Sequence, residues 1–536
     1  MSVDFGQGTF GRAHLAGWIP SVTDDDDDPK FDPMTTSASA LQEMLTSGKL
    51  TSVEILNEYY RRILTYNGYL KAVYQLAPGA VDRAKALDSQ RARGTVLGPL
   101  HGIPILLKDN VGTDPSMGMD NTGGNLALVG STAVRNAPIV DRLLQAGAII
   151  MGKTTLSEMM YFKGTGIRCG WSALHGQSQN PYIRGGIDPT DGLAGHSSPG
   201  GSSSGSGIAV AAGLAPMAIG TETEGSLISP STRQSLYTIK ATLGSIPNEG
   251  IIPISHHLDI AGPMCTTVKD TADLLTVLVG NGRPDVPTGG YATAMKGEAG
   301  WKELRVGMLD PEKYRHGEPL QTQIPEAVEQ IKTATLRGYE RIKELALQYR
   351  YDVSLRPDEA FEYEGASALS ELMVADFELD FDKYLGGTEN SQVTSAKELV
   401  RWNRAHTDQV LPTEYPNQEF LERSVAFDHS SDRRRKLMEH IVAVGQSLPD
   451  ALDKYDIDVI IGPADSSFSR YSAATGLPLC SLPLGYIEYN GRPIGLTAIA
   501  RSEVTLITLQ GAFEATFPQR VPPSAFLSAN ERIGDE

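Results

Sequence analysis

Serine, threonine and glycine are concentrated in residues 198–230, SPGGSSSGSGIAVAAGLAPMAIGTETEGSLISP. Two hydroxyl-rich loops in this segment flank a short apolar run, IAVAAGLAPMAIG. A solvated linker can resemble the first loop in composition, but it is not expected to run directly into core-like sequence. Turns that glycine permits expose backbone N–H groups, which an oxyanion hole needs. The segment therefore favours a site for nucleophilic chemistry by a serine hydroxyl.

A serine hydroxyl is a poor nucleophile unless a base removes its proton. The ten histidines of the chain are scattered, and none has a diagnostic spacing to the two loops. Lys108 is the better candidate, because it directly follows the apolar run IPILL at the end of a predicted buried strand. Burial lowers the pKa of an ammonium group from about 10.4 toward values at which the amine accepts a proton. A structural ion pair is the alternative role.

Three motifs resemble those of the amidase-signature family, which includes fatty acid amide hydrolase, bacterial peptide amidases and the glutamine-hydrolysing subunit of tRNA-dependent amidotransferases. The lysine motif of the family is matched by Gly102, Pro104, Lys108 and Asp109. Its shuttle-serine motif is matched by Gly200, Gly201, Ser202 and Ser203. Its nucleophile motif is matched by Gly220, Thr221, Glu222, Gly225 and Ser226. The 24 positions from residue 202 to residue 226 also fit the family pattern.

This resemblance implies a Ser-cis-Ser-Lys triad with Ser226 as nucleophile, Ser202 as proton shuttle and Lys108 as base. The implied reaction is hydrolysis of the C–N bond of a small organic or peptide-like amide through an acyl-enzyme. The resemblance implies no metal ion and no organic cofactor. A small-molecule amide is therefore the expected partner, whereas the natural substrate and the oligomeric state stay open.

The resemblance also implies which groups surround the nucleophile. The expected oxyanion hole consists of the backbone N–H groups of Thr223, Glu224, Gly225 and Ser226. Trp171 and Ser203 are the candidate substrate-binding residues. Two positions depart from the family pattern, because Glu224 replaces a glycine and Ile228 replaces an arginine. These departures put any transfer of substrate preference in doubt.

The resemblance extends from about residue 35 to 523, and the variants GTETEGS and GWSA look most similar to the stand-alone branch that contains peptide amidases. It implies a single large α/β domain with a central mixed β-sheet covered by helices on both faces. The expected divisions are an irregular acidic arm at 1–33, the domain at 34–523 with a catalytic core at about 80–280 and 450–520, a helical substrate-pocket region at about 320–445, and a tail at 524–536.

Hydrophobic periodicity predicts the elements that must position these residues. Thr51 and Glu54 have capping-box spacing before apolar residues at helical intervals. Further helices are predicted at about 79–93, 140–145, 208–215, 320–350 and 365–445, and from Thr155 onward. Strands are predicted within 102–109, 148–151 and 458–461. Strands that alternate with helices indicate an α/β fold.

Composition excludes several classes of protein. The 536 residues carry a net charge of −18, which argues against nucleic acid as a partner. Three widely spaced cysteines argue against a disulfide framework and fit a reducing compartment. The N-terminus lacks a signal-peptide pattern, and the chain has no apolar run of about 18 residues. These patterns predict a cytoplasmic protein without a membrane insertion.

Two other motifs compete with this interpretation. Residues 147–154, GAIIMGKT, match a phosphate-loop pattern, but their apolar residues fall inside the motif and favour a buried strand. Residues 201–205, GSSSG, match a nucleophile elbow that would make Ser203 the nucleophile, but the preceding sequence is coil-like.

Two alternative functions also stay open. One is an amidotransferase component that needs a partner, and the other is a non-catalytic binding protein on the same scaffold. The long helical region at about 320–445 argues against the first. The complete set of Lys108, Ser202 and Ser226 argues against the second.

Overall fold

The computed structural model describes residues 29–523, except residues 184 and 281. The run Asp24–Asp28, most of the expected arm and the expected tail lie outside the described residues. At the start of the described range, Phe31 is buried, and its ring meets that of Tyr59 edge-on with the centroids 5.7 Å apart. The chain is thus already packed against the core at this point.

An 11-stranded sheet organises the fold. In chain order its strands are β1 Val73–Leu76, β2 Pro104–Lys108, β3 Ile149–Thr154, β4 Met217–Glu222, β5 Tyr237–Lys240, β6 Ile260–Cys265, β7 Arg305–Leu309, β8 Gln348–Val353, β9 Val459–Pro463, β10 Leu479–Tyr486 and β11 Pro493–Ala500. Their order across the sheet is β1-β3-β2-β4-β6-β5-β10-β11-β9-β7-β8. Neighbours are parallel within β3-β2-β4 and β9-β7-β8 and antiparallel elsewhere. The predicted mixed sheet is confirmed.

Sixteen α-helices accompany the sheet within the described residues. They are α1 Ala38–Thr46, α2 Ser52–Leu70, α3 Ala80–Ala92, α4 Pro138–Gln145, α5 Ser204–Ala211, α6 Ile228–Arg233, α7 Val268–Val279, α8 Pro325–Leu345, α9 Ala368–Leu385, α10 Ala396–Ala405, α11 Thr407–Val410, α12 Glu419–Val425, α13 Arg433–Gly445, α14 Ser447–Lys454, α15 Ser469–Thr475 and α16 Glu503–Thr516. Every residue of β2, β3 and β4 is buried. Because successive side chains point to opposite faces of a sheet, both faces are covered at these strands.

Local sequence explains the start of α2. The Thr51 hydroxyl accepts the Glu54 N–H at 3.2 Å, and the Glu54 carboxylate accepts the Thr51 N–H at 2.7 Å. This is the predicted capping box, and it satisfies two backbone donors that the first helical turn leaves unpaired.

Close packing explains why α5 begins four residues before the predicted Ile208. A Cβ atom at Gly205 would lie 2.5 Å from the Ala72 carbonyl oxygen and 2.6 Å from the Thr155 nitrogen. The glycines that resemble a linker in sequence therefore allow a fully buried helix to approach the backbone of its neighbours.

Two sequence expectations near β3 have clear outcomes. The strand predicted within GAIIMGKT is confirmed, because Ile149–Thr154 is a buried strand that runs through the lysine and threonine of the motif. The helix predicted from Thr155 is wrong. A short 3-10 turn, Glu158–Tyr161, occurs instead, and Met159, Met160 and Tyr161 have φ values of 49°, 55° and 75°. Left-handed residues cannot continue an α-helix.

The buried hydrophobic side chains form separate clusters around the sheet and in the helical region. The largest buried cluster surrounds the sheet, and a second one joins α9, α13 and α14 to β9. Within the part of the chain that the structure describes, no helix has both the length and the apolar character needed to cross a lipid bilayer.

Candidate active site

The site lies at the carboxyl ends of two parallel strands. β2 ends at Lys108 and β4 ends at Glu222, and the two strands pair with Leu107 opposite Ile219. β6 runs antiparallel to β4, and its first residue, Ile260, lies opposite Glu222. Parallel strands bring their carboxyl ends to the same sheet edge, so polar groups that are distant in sequence become neighbours there.

Lys108 is fully buried at this edge and has three oxygen neighbours. Its Nζ lies 2.8 Å from Ser202 Oγ, 2.9 Å from Thr221 Oγ1 and 3.3 Å from the Thr221 carbonyl oxygen. Burial lowers the pKa of Lys108 to about 7, and the negative charges of Asp259 and Glu222 only partly oppose this effect. A substantial neutral fraction is therefore available near neutral pH.

Ser202 lies in the loop before α5 and is also buried. It follows a cis peptide bond from Gly201, and its carbonyl oxygen accepts the Ser157 N–H at 3.1 Å. A Cβ atom at Gly201 would lie 2.6 Å from Ser157 Oγ and 3.2 Å from Cys169 Sγ. A larger residue before Ser202 would therefore displace the side chains of Ser157 and Cys169.

Ser226 lies in the turn between β4 and α6, and only 8% of it is exposed. The buried Glu222 carboxylate fastens this turn, because Oε2 accepts the Leu227 N–H at 2.6 Å and the Ile228 N–H at 3.2 Å. These two hydrogen bonds hold the backbone of the turn directly after Ser226.

Ser203 connects the two serine loops. Its N–H donates to the Ser226 carbonyl oxygen at 3.3 Å, its hydroxyl donates to the Thr221 carbonyl oxygen at 3.0 Å, and the Thr221 N–H donates back at 3.2 Å. The Ser203 side chain is buried within these bonds. The preceding residues 195–203 form turns and coil instead of a strand, so the nucleophile-elbow hypothesis for Ser203 is wrong.

Thr223 and Glu224 are fixed by different partners. Thr223 Oγ1 donates to Asp259 Oδ1 at 2.6 Å, and Asp259 Oδ2 accepts the N–H groups of Ile254 and Ser255 at 2.7 and 3.0 Å. Burial raises the pKa of Asp259 to about 7. Glu224 Oε1 pairs with Arg470 Nε at 3.0 Å, so the side chain that replaces a glycine is held by an ion pair.

The aromatic candidate Trp171 is half-buried and lies two residues after Cys169, whose side chain lies against Gly201. Its ring centroid lies 4.4 Å from that of Tyr415, and Lys163 Nζ lies 5.4 Å from the centroid of the Trp171 ring. Lys163 also forms a fully buried ion pair with Glu158 at 2.9 Å. Two distant chain segments, residues 158–171 and the segment around Tyr415, therefore pack together at Trp171.

Sequence reasoning missed several groups that organise the site. In the sequence Thr221 and Glu222 stand out only as parts of a motif, although their contacts to Lys108 and to the Ser226 turn make them positioning groups. The sequence offered a signal for these two, since both directly precede the hydroxyl-rich segment that contains Ser226, at the end of β4. No local signal pointed to Asp259 or Arg470, which reach the site only through tertiary structure.

Comparisons with known proteins agree on one family. The profile of the family described as Amidase matches residues 54–504. An Arabidopsis thaliana protein named "Probable amidase" is 30% identical over 489 residues, covering 89% of this chain and 88% of that protein.

Further matches come from a solved structure and from the amidotransferases. The native peptide amidase from Stenotrophomonas maltophilia has a TM-score of 0.79 and 30% identity, covering 91% of this chain and 98% of that one. A glutamyl-tRNA(Gln) amidotransferase subunit from Staphylococcus haemolyticus is 26% identical over 514 residues, covering 90% of this chain and 97% of that protein.

Proposed function

The chain belongs to the amidase family, and from that premise we propose that it is a serine amidase in which Ser226 attacks the amide carbonyl, Ser202 relays the proton and Lys108 is the base. The observation that carries the proposal is the 2.8 Å contact between the Nζ atom of fully buried Lys108 and Ser202 Oγ. A lysine so buried is rare unless it is paired or functional.

The partners of Lys108 support a role as proton acceptor. A neutral amine has two N–H bonds and one lone pair. The Thr221 carbonyl oxygen can only accept, so one N–H points toward it, and the other can point to Thr221 Oγ1. The lone pair then faces Ser202 Oγ. Asn110 Nδ2 donates to the same Thr221 hydroxyl at 3.1 Å and fixes its position.

The chemistry proceeds in two balanced halves. Ser202 gives its proton to Lys108 and takes one from Ser226, whose Oγ forms the bond to the carbonyl carbon. Backbone N–H groups of residues 223–226 stabilise the oxyanion. Ser202 then gives its proton to the departing nitrogen as the C–N bond breaks and regains one from Lys108. Water then releases the acid from Ser226 through the same relay.

The substrate class in this proposal is a small organic or peptide-like amide. The similarity to the peptide amidase supports it. The paired rings of Trp171 and Tyr415 offer an apolar surface suited to a bulky acyl or amine group.

A second candidate function is glutamine hydrolysis within a larger amidotransferase. The similarity to the Staphylococcus haemolyticus amidotransferase over 90% of this chain favours it. Hydrolysis of simple amides by the purified chain alone would argue for the stand-alone amidase, whereas activity that is present only with partner proteins would support this second candidate.

Labelling with a fluorophosphonate probe tests the nucleophile. We expect the probe to mark the peptide that contains Ser226 in the unmodified protein, and the mark to disappear in Ser226→Ala. Ser229→Ala is the matched control, because Ser229 lies about one helical turn further on and should leave labelling intact. A label on Ser203 that persists in Ser226→Ala would overturn the assignment. If the probe does not react, a panel of small amides tests the same two variants by turnover.

A further inference from the structure

A second cluster of polar side chains lies between the turn that precedes β6 and helix α9. His256 and His257 are adjacent, and their ring centroids lie 3.8 Å apart with the ring planes inclined at 39°. His257 Nδ1 lies 2.8 Å from Asp376 Oδ2, and His256 Nδ1 lies 2.8 Å from Asp380 Oδ2. Asp376 and Asp380 are one turn apart on α9. Each imidazole is therefore paired with one carboxylate of α9.

We propose that His256, His257 and Asp376 form a binding site for a divalent transition-metal cation, with Zn²⁺ as the best fit. One ligand atom from each of these three residues lies within 4.8 Å of the others. Asp380 lies outside this group and contacts His256 Nδ1 at 2.8 Å. Two imidazole nitrogens and one carboxylate oxygen make a donor set suited to zinc, with a coordination position left for water.

Metal binding requires the donors to move. With metal–ligand distances of about 2.0–2.1 Å, tetrahedral coordination separates neighbouring donors by about 3.3 Å. The 2.8 Å separation of His257 Nδ1 and Asp376 Oδ2 must therefore open slightly, and donors that are up to 4.8 Å apart must approach one another. Rotation of the exposed His256 side chain can supply that approach. Each imidazole would bind the metal through Nδ1 as the tautomer that carries its proton on Nε2. The proton now shared between each Nδ1 and its carboxylate would move to Nε2 of a neutral ring or be released to solvent from a charged one.

Groups around the cluster are arranged to orient the ligands. Asp376 is fully buried, and its Oδ1 accepts Arg434 Nε at 2.6 Å while its Oδ2 faces His257. The Ser255 hydroxyl donates to Asp376 Oδ2 at 2.5 Å. Such outer contacts fix the direction of a ligating carboxylate. His256 is 53% exposed, which provides a path for the ion from solvent.

Bound zinc would connect α9 to residues 255–259, the loop whose Asp259 is hydrogen-bonded to the proposed oxyanion turn. Ser255 donates its N–H to Asp259, and Asp259 accepts the Thr223 hydroxyl. The binding proposal itself does not depend on the proposed function, because it rests on residues outside the Lys108–Ser202 pair.

Calorimetric titration of the full chain with zinc, free of any purification tag, tests the site. We expect about one equivalent of zinc to bind, and His256→Ala and His257→Ala each to weaken binding by at least about tenfold. His429→Ala is the matched control, because His429 pairs with Glu378 of α9 at 3.0 Å but is not part of the cluster. Cobalt should give the absorption of a tetrahedral site that disappears in His257→Ala. No saturable binding, or an equal loss in all three variants, would overturn the proposal.

Discussion

Arg470 Nε lies 3.0 Å from Glu224 Oε1, while Nη1 of the same guanidinium lies 2.6 Å from Asp358 Oδ2. One arginine on α15 thereby joins the turn before Ser226 to the segment that leads into the helical region. The two carboxylates raise the pKa of Arg470, so this cation is permanent. Glu224, which departs from the family pattern, is thus part of a three-residue link.

This link predicts that Arg470→Gln and Glu224→Gln each lower kcat by about fivefold with little change in KM, equivalent to about 1 kcal/mol of transition-state stabilisation. The reason is that the ion pair holds the peptide groups of the oxyanion turn, which contact the substrate most strongly in the transition state. The double variant should lose less than the sum of the single variants. Fully additive losses would show that the two residues act independently.

The lowered pKa of Lys108 predicts a pH dependence of the reaction. Because the neutral amine is the active form, kcat/KM should rise with pH through a value near 7 and then level off. Lys108→Arg keeps a positive charge at every accessible pH and should lose roughly a thousandfold or more of the activity. A flat profile for the unmodified protein between pH 5 and about 9 would remove Lys108 from the role of base.

The lowered pKa of Lys108 also predicts how the free energy of unfolding changes with pH. The pKa of Lys108 is about 7 in the folded chain and about 10.4 when unfolded, so the unfolded chain binds more protons between these values. The contribution of Lys108 to the free energy of unfolding therefore rises as pH rises through this window. Urea unfolding at several pH values should show this rise relative to Lys108→Met. Parallel curves for the two proteins would contradict the shift.

Replacing Glu222 is expected to destabilise the turn that contains Ser226. Glu222→Gln replaces a charged acceptor of backbone N–H groups and removes a negative charge near buried Lys240, so we expect a loss of about 2 kcal/mol in the free energy of unfolding and a fall in kcat. Glu249→Gln, which removes one negative charge from an exposed position, is the comparison and should leave both the thermal midpoint and kcat nearly unchanged. The two variants together distinguish loss of the hydrogen bonds to the turn from a general change in charge.

Replacing Trp171 is expected to weaken the binding of amides with bulky groups. Trp171→Leu should raise KM for amides with bulky groups by about tenfold and change KM for small aliphatic amides little, because it removes an aromatic surface of the proposed pocket. Trp402→Leu is the matched control, since Trp402 stacks on His406 within the helical region. Equal effects of Trp171→Leu on large and small amides would contradict a role in recognition.

Much of the fold could be predicted because its signals are local. The capping box of α2 and the apolar run of β2 depend on neighbours a few residues away, so periodicity and spacing identified them. The helix predicted after Thr155 failed because packing of residues 157–161 around the Ser202 loop overrides local helical preference. The start of α5 was placed too late because glycines that look flexible in sequence are used for close backbone contact.

The sequence by itself determined the identities and spacing of Lys108, Ser202 and Ser226, because these residues lie in short motifs whose chemistry is carried by residue type. Only the tertiary structure decided that Lys108 and Ser202, 94 positions apart, are in hydrogen-bond contact. It likewise decided that Asp259 supports Thr223, that Arg470 holds Glu224, and that His256 and His257 face α9. Such contacts depend on strand order and helix packing, which bring distant segments together and leave no trace in local composition.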